Sequence, residues 1–542
     1  MFRENTNHQQ TFFDSTDTMD PRVKERLDKS WAPVFYEHVF CQIDEKPFAV
    51  LYSDIGAPNF PVNIALSLEF IKHLFNYSDD ELMDEFYFNY QVDYAVGIRH
   101  LGSLNLAERT FYDFRARVYQ HIIAHPEQED LIFGQFLKLT KNFLKTAKLS
   151  SEAQRMDSTM FMPNIKRAGR LALTYDVLIK AIKAIPENQL SEDLKAVFTS
   201  NFKTETLYKT KPSESDGKMD QLLNLCLKVE HILETNAAGK DQTEALRIIQ
   251  RFIKEQTHYD ENTKRMKAKS NKEISPDSLQ SAYEEDCTFR NKNGKSQSGY
   301  VVNLAETSAK ENPIQQITDY AVAPNITADV TLGQERTPEI KRNTNCNSMT
   351  VDSGYFSEKV ITTGADNDID LHFTDMTGRE PKPKLPVTAF DFDVKTLIIN
   401  QCPNQVVPLY AVFKDGQTIA HFPLDACRNC LLVGQCHVKE RKKEFVVRID
   451  KKAIIAAEQR QKIQHECHQN ISTRAAIEGT NSALKRAHGL GKLRVRGQAK
   501  CTVVVGYKVI AHNFKIFARY MIAQAKSQLN PGIQGVLMPT TG

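Results

Sequence analysis

Apolar and polar positions follow both helical and strand periods along this chain. The segment 60–125 has helical spacing and two helix-start signals, Ser78 before Glu81 and Thr110 before Asp113. A hydroxyl residue three positions ahead of an acid can cap the first turn of a helix. We therefore predict two capped helices in this segment.

The second of these helices has an apolar face and two arginines away from it. Phe111, Phe114 and Val118 recur at helical spacing, while Arg115 and Arg117 lie elsewhere. The pattern is typical of a small DNA-binding module and equally of an ordinary helical bundle, and both interpretations stay open. In the first case Arg115 and Arg117 are the predicted DNA contacts.

Short strands alternate with helices in the rest of the chain. "EAQRMDSTMF" predicts a strand with Asp157 at its apolar centre, and "NSMTVDSGYFSEKVI" predicts a strand ending at Asp352, a turn at Gly354 and a helix. Further strands are predicted in "GYVVNLAETS", "ITDYAVAP" and "DIDLHFTD". Residues 166–275 are mostly helical, and 503–521 carry one apolar helical stripe. Together these elements predict an α/β fold with a large helical insertion.

The predicted elements divide the chain into five regions. An N-terminal segment precedes a helical, possibly DNA-binding domain; an α/β core is interrupted by a helical insertion with its linker and contains a cysteine-rich insertion. The boundaries are 1–59 for the segment, 60–145 for the helical domain, 146–165 with 295–542 for the core, 166–294 for the helical insertion and 397–440 for the cysteine-rich insertion.

Charge is unevenly distributed along the chain. The formal net charge is only +3, but from Val438 to the end twenty Lys or Arg stand against six Asp or Glu. This asymmetry indicates a polyanionic partner for the C-terminal part. The segment "RAAIEGTNSALKRAHGLGKLRVRG" (474–497) places six basic residues around one acid, Glu478. That acid is either a salt-bridge partner or a metal ligand beside a bound phosphate.

Composition and sequence argue against a membrane-spanning or a secreted protein. The 41% hydrophobic content is typical of soluble globular chains. Lys508 interrupts the best candidate membrane span near 502–518, and the opening "MFRENTNHQQ" does not resemble a secretory signal. Ten cysteines without such a signal indicate a reducing compartment. We therefore predict a cytoplasmic protein with no membrane partner.

Four cysteines flank a predicted hairpin. One precedes "LYAVFKDGQTIAHF", two strands joined at an Asp-Gly turn, and three follow in "DACRNCLLVGQC". Four thiolates that converge in this way can bind structural Zn²⁺ tetrahedrally. The predicted ligands are Cys402, Cys427, Cys430 and Cys436. A cluster of free thiols is the alternative, and His437 or Cys467 could be the fourth ligand instead of Cys402.

A predicted helix near the C-terminal end of the chain carries polar and charged residues on one face, and these could meet the carboxylates of the predicted strands. If 471–486 is helical, four polar residues share a face: Arg474, Glu478, Asn481 and Lys485. A salt-bridged surface helix has the same pattern, but Asp157 and Asp352 lie in or at the end of apolar strands, where an unpaired carboxylate is costly. Three such carboxylates can hold two Mg²⁺ ions about 3.5–4 Å apart for in-line attack on a phosphodiester.

Three of these segments together resemble the DDE transposases of bacterial insertion sequences: "RMDSTMF", "VDSGYFSE" and "RAAIEGTNSALKRAHGLGKLRVRG". Arg474, Glu478 and Lys485 match the Arg-x3-Glu-x6-Lys spacing of the branch with a Tyr–Arg–Glu–Lys signature, although Ile471 stands at the tyrosine position. Residues 60–125 resemble the helical domain ahead of the catalytic core in these enzymes, and "CRNCLLVGQC" resembles their cysteine-rich insertion.

The resemblance implies a ribonuclease-H-like core with an N-terminal helical domain, a helical insertion and a zinc-ribbon-like insertion. It implies Mg²⁺ or Mn²⁺ as cofactor beside structural Zn²⁺. The implied partner is double-stranded DNA, both terminal inverted repeats and target, bound by a homodimer at the bacterial nucleoid. Asp157, Asp352 and Glu478 match the acidic triad. The rival carboxylates are Asp319, Asp329 and Asp450, and Asp352 is preferred because "DSGY" joins a strand to a helix.

The predicted activity is therefore metal-dependent cutting and joining of DNA. Water activated at metal ions on the triad cuts one strand at each transposon end, and the freed 3′-hydroxyl then attacks target DNA. Arg474 and Lys485 would hold phosphates or stabilise transition-state charge. Further predicted DNA contacts are Lys485, Arg486, Lys492, Arg494 and Arg496. Two alternatives stay open: a metal-dependent nuclease without strand transfer, and a non-catalytic, transposase-derived DNA-binding protein.

Overall fold

A computed structural model describes residues 1–6, 14–128, 130–166, 169–236, 239–261, 265–292, 294–375, 384–393 and 395–529. The helices are α1 (Pro21–Asp28), α2 (Trp31–His38), α3 (Val62–Phe75), α4 (Asp79–Phe88), α5 (Tyr90–Ala95), α6 (Glu108–Ala124), α7 (Leu131–Thr146), α8 (Arg170–Lys183), α9 (Glu192–Ala196), α10 (Ser200–Lys203), α11 (Ser215–Asn236), α12 (Lys240–Gln256), α13 (Asp329–Asn343), α14 (Glu358–Asp366), α15 (Leu424–Arg428), α16 (Lys451–Ala487) and α17 (Gln498–Leu529).

The strands are β1 (Ala153–Phe161), β2 (Thr257–Asp260), β3 (Arg265–Ala268), β4 (Thr288–Lys292), β5 (Lys295–Thr307), β6 (Ile317–Pro324), β7 (Ser348–Val351), β8 (Asp370–Phe373), β9 (Asp391–Phe392), β10 (Ile399–Gln401), β11 (Tyr410–Lys414), β12 (Gln417–Pro423), β13 (Val438–Glu440) and β14 (Glu444–Asp450). The mixed α/β prediction is confirmed, and the five strands predicted ahead of the hairpin correspond to β1, β5, β6, β7 and β8.

A six-stranded sheet forms the centre of the molecule. Its order is β4-β5-β1-β7-β8, and β6 pairs with the second half of β5. β5 runs antiparallel to both β1 and β6, whereas β7 runs parallel to β1 and β8 parallel to β7. Apolar side chains of this sheet belong to two separate cores. One core also contains residues of α13 and α14, and the other also contains residues of α16 and α17. Both faces of the sheet are therefore covered.

Helix α17 joins the N-terminal helices to the sheet. Its predicted apolar stripe is confirmed, because Val503, Tyr507, Ile510, Phe514 and Phe517 are all buried. The helix packs against α2, α3, α6 and α7 and also against β6. Residues of α2, within the segment before 60, belong to the same core. The N-terminal helices thus share one hydrophobic core with the sheet.

One of the two predicted helix starts is confirmed and the other is wrong. Ser78 and Glu81 form a reciprocal capping box at the start of α4. Helix α6, however, begins at Glu108 after Ala107, which makes no side-chain cap, so Thr110 lies inside the first turn. A hydroxyl followed by an acid is a local signal, and packing of the preceding residues can extend a helix beyond it.

The helical insertion has a core of its own. Helices α8, α11 and α12 pack together, and their buried residues form a cluster that runs from Leu173 to Ala282. Within the predicted insertion and its linker (166–294), Arg265–Ala268 pairs with Thr257–Asp260 as an antiparallel hairpin, an element that the sequence pattern does not predict. The polar, basic composition of this segment is not typical of a strand, so the pairing could not be predicted.

The cysteine-rich segment contains a four-stranded sheet with the order β11-β12-β14-β13. The predicted hairpin is confirmed as β11 and β12. Its turn residues, Asp415 and Gly416, both have positive φ, as the tight turn between twisted strands requires. No helix among the described residues is both long and apolar enough to cross a membrane.

Candidate active site

Two of the predicted carboxylates lie side by side on neighbouring parallel strands. Asp157 is in the middle of β1 and is 7% exposed. In the pairing of β1 with β7, Met156 lies opposite Val351, so the next residues of the two strands are Asp157 and Asp352. Asp352 directly follows β7, and its Oδ1 accepts a hydrogen bond from the amide of Ser353 at 2.7 Å. The strand register therefore brings these two acids together.

Helix α16 supplies the third carboxylate and a cation between all three. The guanidinium of Arg474 lies 3.2 Å from Asp157 Oδ2 and 3.7 Å from Asp352 Oδ2, both measured from Nη2. Its Nη1 forms an ion pair with Glu478, one turn further along the helix. Arg474 thus contacts every member of the predicted triad, and the structure brings these four residues into one cluster.

Asn481 and Lys485 continue the same helical stripe. Asn481 Nδ2 lies 3.4 Å from Asp157 Oδ2, and the side chain is buried. The sequence pattern places Asn481 on this stripe without indicating a role for it. Its spacing of seven residues from Arg474 was the available signal.

The electrostatics of the cluster follow from its partial burial. Burial raises the pKa of Asp157, as does the charge of Asp352, while the nearby charge of Arg474 lowers it. Burial alone would lower the pKa of Arg474, but the charges of Asp157, Asp352 and Glu478 raise it above its usual value. Burial also lowers the pKa of Lys485, against the attraction of Asp157. The cluster is therefore a half-buried group of three acids around one arginine.

Glu478 is a salt-bridge partner in this arrangement and a member of the carboxylate cluster at the same time. Its side chain is 61% exposed, whereas those of Asp157 and Arg474 are 10% and 22% exposed. The two interpretations drawn from the sequence are thus compatible in space.

The rival carboxylates lie elsewhere. Asp319 is buried and paired with Arg336 of α13. Asp329 accepts a hydrogen bond from the Ser158 hydroxyl at 2.7 Å, and Ser158, as the neighbour of Asp157 in the strand, points to the opposite face of the sheet. Asp450 directly precedes the distant start of α16 without capping it, and its Oδ1 accepts a hydrogen bond from Gln417 at 2.6 Å. None of these three contacts Arg474 among the described residues.

The basic residues in the last turn of α16 and just after it form an exposed strip beside the end of β1. Arg486, Lys492, Arg494 and Arg496 are exposed. The backbone of 491–495 is bonded to the chain just beyond β1, where Met162 N donates to Gly491 O at 3.1 Å and Leu493 N donates to Met162 O at 2.8 Å. These bonds hold the strip, defined as residues 486–496, next to the strand that carries Asp157.

The arginines predicted in α6 differ in their surroundings. Arg115 is largely buried and donates to Glu69 at 2.7 Å and to Asp79 at 2.8 Å. Its guanidinium could bind a phosphate only by breaking these ion pairs, so the structure favours a packing role for it. Arg117 is exposed and lies over the ring of Tyr52 at 5.1 Å.

The four predicted zinc ligands line one pocket, whose cysteines are Cys402, Cys427, Cys430 and Cys436. Burial raises the pKa of Cys427 to about 11, and the other three thiols add to the rise, which reflects their proximity. The ring of His437 is hydrogen-bonded to the carbonyl of Leu385 at 2.8 Å, and the side chain of Cys467 lies outside the described part of the chain. Within that part, no three His, Cys, Asp or Glu side chains are grouped closely enough to hold a metal ion as they stand.

Comparison with known families gives two matches. Residues 401–518 match the model described as Transposase DDE domain, and residues 24–117 match the one described as Transposase domain (DUF772). The first range contains Arg474, Glu478 and Lys485, but neither contains Asp157 or Asp352. No curated protein and no solved structure matches significantly. Both matched models describe transposase domains, and these matches support a relation to DDE transposases.

Proposed function

We propose that this chain is a transposase that cuts DNA at terminal inverted repeats and joins the cut ends to target DNA, acting as a homodimer at the nucleoid. The observation that carries the proposal is the convergence of Asp157, Asp352 and Glu478 on the guanidinium of Arg474. Three acids gathered beside an exposed basic strip suit a reaction on a phosphodiester, because the basic residues offset the repulsion between carboxylates and phosphate.

We also propose a ribonuclease-H-like core. The supporting observation is the strand order β6-β5-β1-β7-β8, in which the first two strands are antiparallel to their neighbours and the last two are parallel. Asp157 lies on the central strand and Asp352 at the end of its parallel neighbour. The carboxyl ends of parallel strands are a common location for active sites.

Asp157, Asp352 and Glu478 are the residues that would hold Mg²⁺ or Mn²⁺. Their oxygen donors suit hard divalent cations, and one oxygen of each already contacts the same positively charged group. Bound metal would supply Lewis acidity for the attacking water or 3′-hydroxyl and for the leaving oxygen.

The chain's own groups would then orient the DNA. Asn481 would hold the Asp157 carboxylate in place through its amide, since it already lies within hydrogen-bonding distance of Oδ2. Lys485 would contact phosphate oxygens near the cut, and Arg474 would do so once the acids that it now pairs with hold metal instead, because a half-buried cation interacts strongly with developing charge. Arg486, Lys492, Arg494 and Arg496 would bind the DNA backbone further away. Arg117 is a further candidate contact in the N-terminal helices.

The four cysteines would bind one structural zinc ion. The supporting observations are a shared pocket and an all-thiol donor set with a Cys-x2-Cys pair. A bound zinc ion would join the loop of Cys402 to the segment after the hairpin, and so stabilise the fold ahead of α16.

The test is a strand-joining assay with the full chain. The substrate is a labelled duplex with the sequence that flanks the gene, mixed with supercoiled plasmid and Mg²⁺. A transposase should nick the duplex at one position and transfer the label to the plasmid. Nicking without transfer, also with a pre-cut 3′ end, would favour a nuclease. Binding without either reaction would leave a non-catalytic DNA-binding protein.

A further inference from the structure

A buried ion pair lies under helix α16, beside the carboxylate cluster. Arg155 of β1 and Glu306 of β5 are directly opposite each other in the antiparallel pairing of these strands. Arg155 Nε donates to Glu306 Oε1 at 2.6 Å, and the two side chains are only 9% and 3% exposed. Arg155 is two residues before Asp157 in the strand, so both side chains point to the same face of the sheet.

Each member of this pair also holds α16. Arg155 Nη1 donates to the carbonyl oxygen of Thr473 at 3.1 Å, and the hydroxyl of Thr480 donates to Glu306 Oε2 at 2.7 Å. Thr473 and Thr480 are seven residues apart, about two turns and 10 Å along the helix axis. The ion pair therefore contacts the same side of α16 at two separate heights.

These two contacts are immediate neighbours of the residues that face the site. Thr473 precedes Arg474, and Thr480 follows Glu478 by two residues. A shift of one residue along a helix corresponds to a rotation of about 100° and a translation of about 1.5 Å. Either change would move Arg474 and Glu478 out of their present positions relative to Asp157. Two directional hydrogen bonds at different heights oppose both the rotation and the translation.

Apolar packing of α16 would define its position less sharply. Ile477, between the two threonines, and Leu484, one turn beyond Thr480, are fully buried, but hydrophobic contact is non-directional. Hydrogen bonds to charged groups, in contrast, have defined geometry. Buried ion pairs add little net stability compared with apolar residues of the same size. A role in setting geometry therefore explains this pair better than a role in stability.

We propose that Arg155 and Glu306 are positioning residues that set the rotation and height of α16, so that Glu478 and Arg474 face Asp157. The inference rests on the proposed function, because it concerns the alignment of the proposed catalytic helix. It adds Arg155, Glu306 and Thr480 to the residues on which the reaction depends, although none of them is among the acids proposed to hold metal.

The most selective test is at Thr480. Thr480→Val keeps the shape of the side chain but removes the hydroxyl that donates to Glu306, whereas Thr480→Ser keeps the hydroxyl. The control is Thr502→Val in α17, where a half-buried helical threonine donates only to the carbonyl of its own helix. The four full-length proteins would be compared in the rate of duplex nicking at saturating DNA, in Mn²⁺ affinity without DNA, and in hydrogen exchange of peptides that cover 470–487.

The expected result is a loss of about tenfold or more in nicking rate and weaker Mn²⁺ binding for Thr480→Val, with DNA binding unchanged, because small misplacement of reacting groups is costly. The Thr480→Ser protein should have a nicking rate and an Mn²⁺ affinity within about threefold of the wild-type values. Exchange should increase in 470–487 for Thr480→Val alone. Thr502→Val should behave like the wild type.

Three outcomes overturn the inference. The first is a Thr480→Val protein that nicks DNA and binds Mn²⁺ like the wild type. The second is a Thr480→Ser protein as impaired as Thr480→Val, which would indicate a packing effect of the methyl group. The third is an equal loss in Thr502→Val, which would indicate general destabilisation. A wild-type protein that neither nicks DNA nor binds Mn²⁺ contradicts the proposed function. In that case, hydrogen exchange of 470–487 in the Thr480→Val protein still tests the positioning role separately.

Discussion

At the scale of single residues, Arg474 is the centre of the site. Its two terminal nitrogens contact three carboxylates from three different elements, while its Nε has no hydrogen-bond partner among the described residues. One guanidinium beside three acids leaves the cluster with excess negative charge, which favours binding of further cations. If the three acids hold metal as proposed, they act as one unit with Arg474, and the loss of any one acid should affect the same step.

Glu478→Gln keeps the size of the side chain and removes its charge. If Glu478 binds metal, nicking and strand transfer should fall by several orders of magnitude, while end binding persists or tightens because repulsion of phosphate is reduced. Asp157→Asn and Asp352→Asn should give similar losses, and the losses should not add in combination. The assays are nicking of a labelled end duplex in Mg²⁺ and a gel shift in Ca²⁺.

The matched control for this prediction is Glu458→Gln, which removes an exposed acid from the same helix away from the site. It should nick DNA like the wild type. If Glu478 is only a salt-bridge partner, Glu478→Gln should cost at most about 1 kcal/mol of stability and leave nicking intact. A variant that nicks at near the wild-type rate would therefore remove Glu478 from the proposed metal site.

A second residue, Asp93 of α5, predicts a pH dependence of stability. It is 1% exposed, and its Oδ2 has no hydrogen-bond partner among the described residues. Burial raises the pKa of Asp93 from 3.8 to about 7, although the amide of Gly102 donates to it and opposes the rise. Between these two values the unfolded chain releases a proton that the folded protein keeps. Stability should therefore fall as pH rises through this window, by up to about 1.4 kcal/mol per pH unit.

Asp93→Asn should remove this component. Urea unfolding between about pH 5 and about pH 8 would measure it, because the free energy of unfolding follows the difference in bound protons. The difference in stability between the variant and the wild type should grow in favour of the variant up to about pH 7 and then level off. Asp84→Asn, which changes an exposed acid of α4, is the control. Parallel pH curves for wild type and Asp93→Asn would contradict the prediction.

At the scale of elements, α16 connects three parts of the molecule. It begins at Lys451 directly after β14 of the cysteine-rich sheet, crosses β1, and ends beside α3, where the ring of His488 donates to the carbonyl of His73 at 2.9 Å. A helix of this length extends about 55 Å. The cysteine-rich segment therefore anchors the end of the helix that is opposite the site.

Zinc in this segment is a prediction at the same scale. The purified protein should contain about one zinc ion per chain, and the variant with serine at Cys402, Cys427, Cys430 and Cys436 should contain none. Metal analysis by mass spectrometry measures both. Cys41→Ser, at an exposed cysteine outside the pocket, should keep the full zinc content. Equal zinc in the wild type and the quadruple variant would exclude this site and leave a cluster of free thiols.

At the scale of the whole molecule, the helical insertion and the N-terminal helices differ in independence. The insertion buries its own core between α8, α11 and α12. The N-terminal helices instead share a core with α17, which comes from the other end of the chain. Apolar faces that lose their partner become exposed to water, which is unfavourable in proportion to their area.

Two fragments test this difference. Residues 169–283, which contain the insertion and its core, should unfold cooperatively on heating when expressed alone. Residues 1–149 lack α17 and should show no cooperative transition, because buried faces of α3 and α7 lose their contacts. Circular dichroism against temperature measures both. A cooperative transition of 1–149 alone would show that α17 is not required for the N-terminal helices, and would allow a direct test of their DNA binding.

Several features of the candidate site could be predicted from local patterns. Alternation placed Asp157 inside a strand, strand length placed Asp352 at an end, and helical spacing placed Arg474 and Glu478 on one face. The start of α6 and the hairpin of β2 and β3 could not be predicted in this way. Neither is marked by a helix-start signal or by an alternation of apolar and polar residues.

By itself, the sequence determined the elements around the candidate site and the residues that each could present, because periods of two and about 3.6 residues arise within a short stretch of chain. Only the tertiary structure decided which of these residues meet. Arg115 is paired with Glu69, 46 residues away, and Arg155 with Glu306, 151 residues away. Such pairs depend on strand register and on the packing of distant helices, and no local period encodes either. For the same reason α17 could be recognised as a buried helix, while its partners, the N-terminal helices, became visible only in the folded chain.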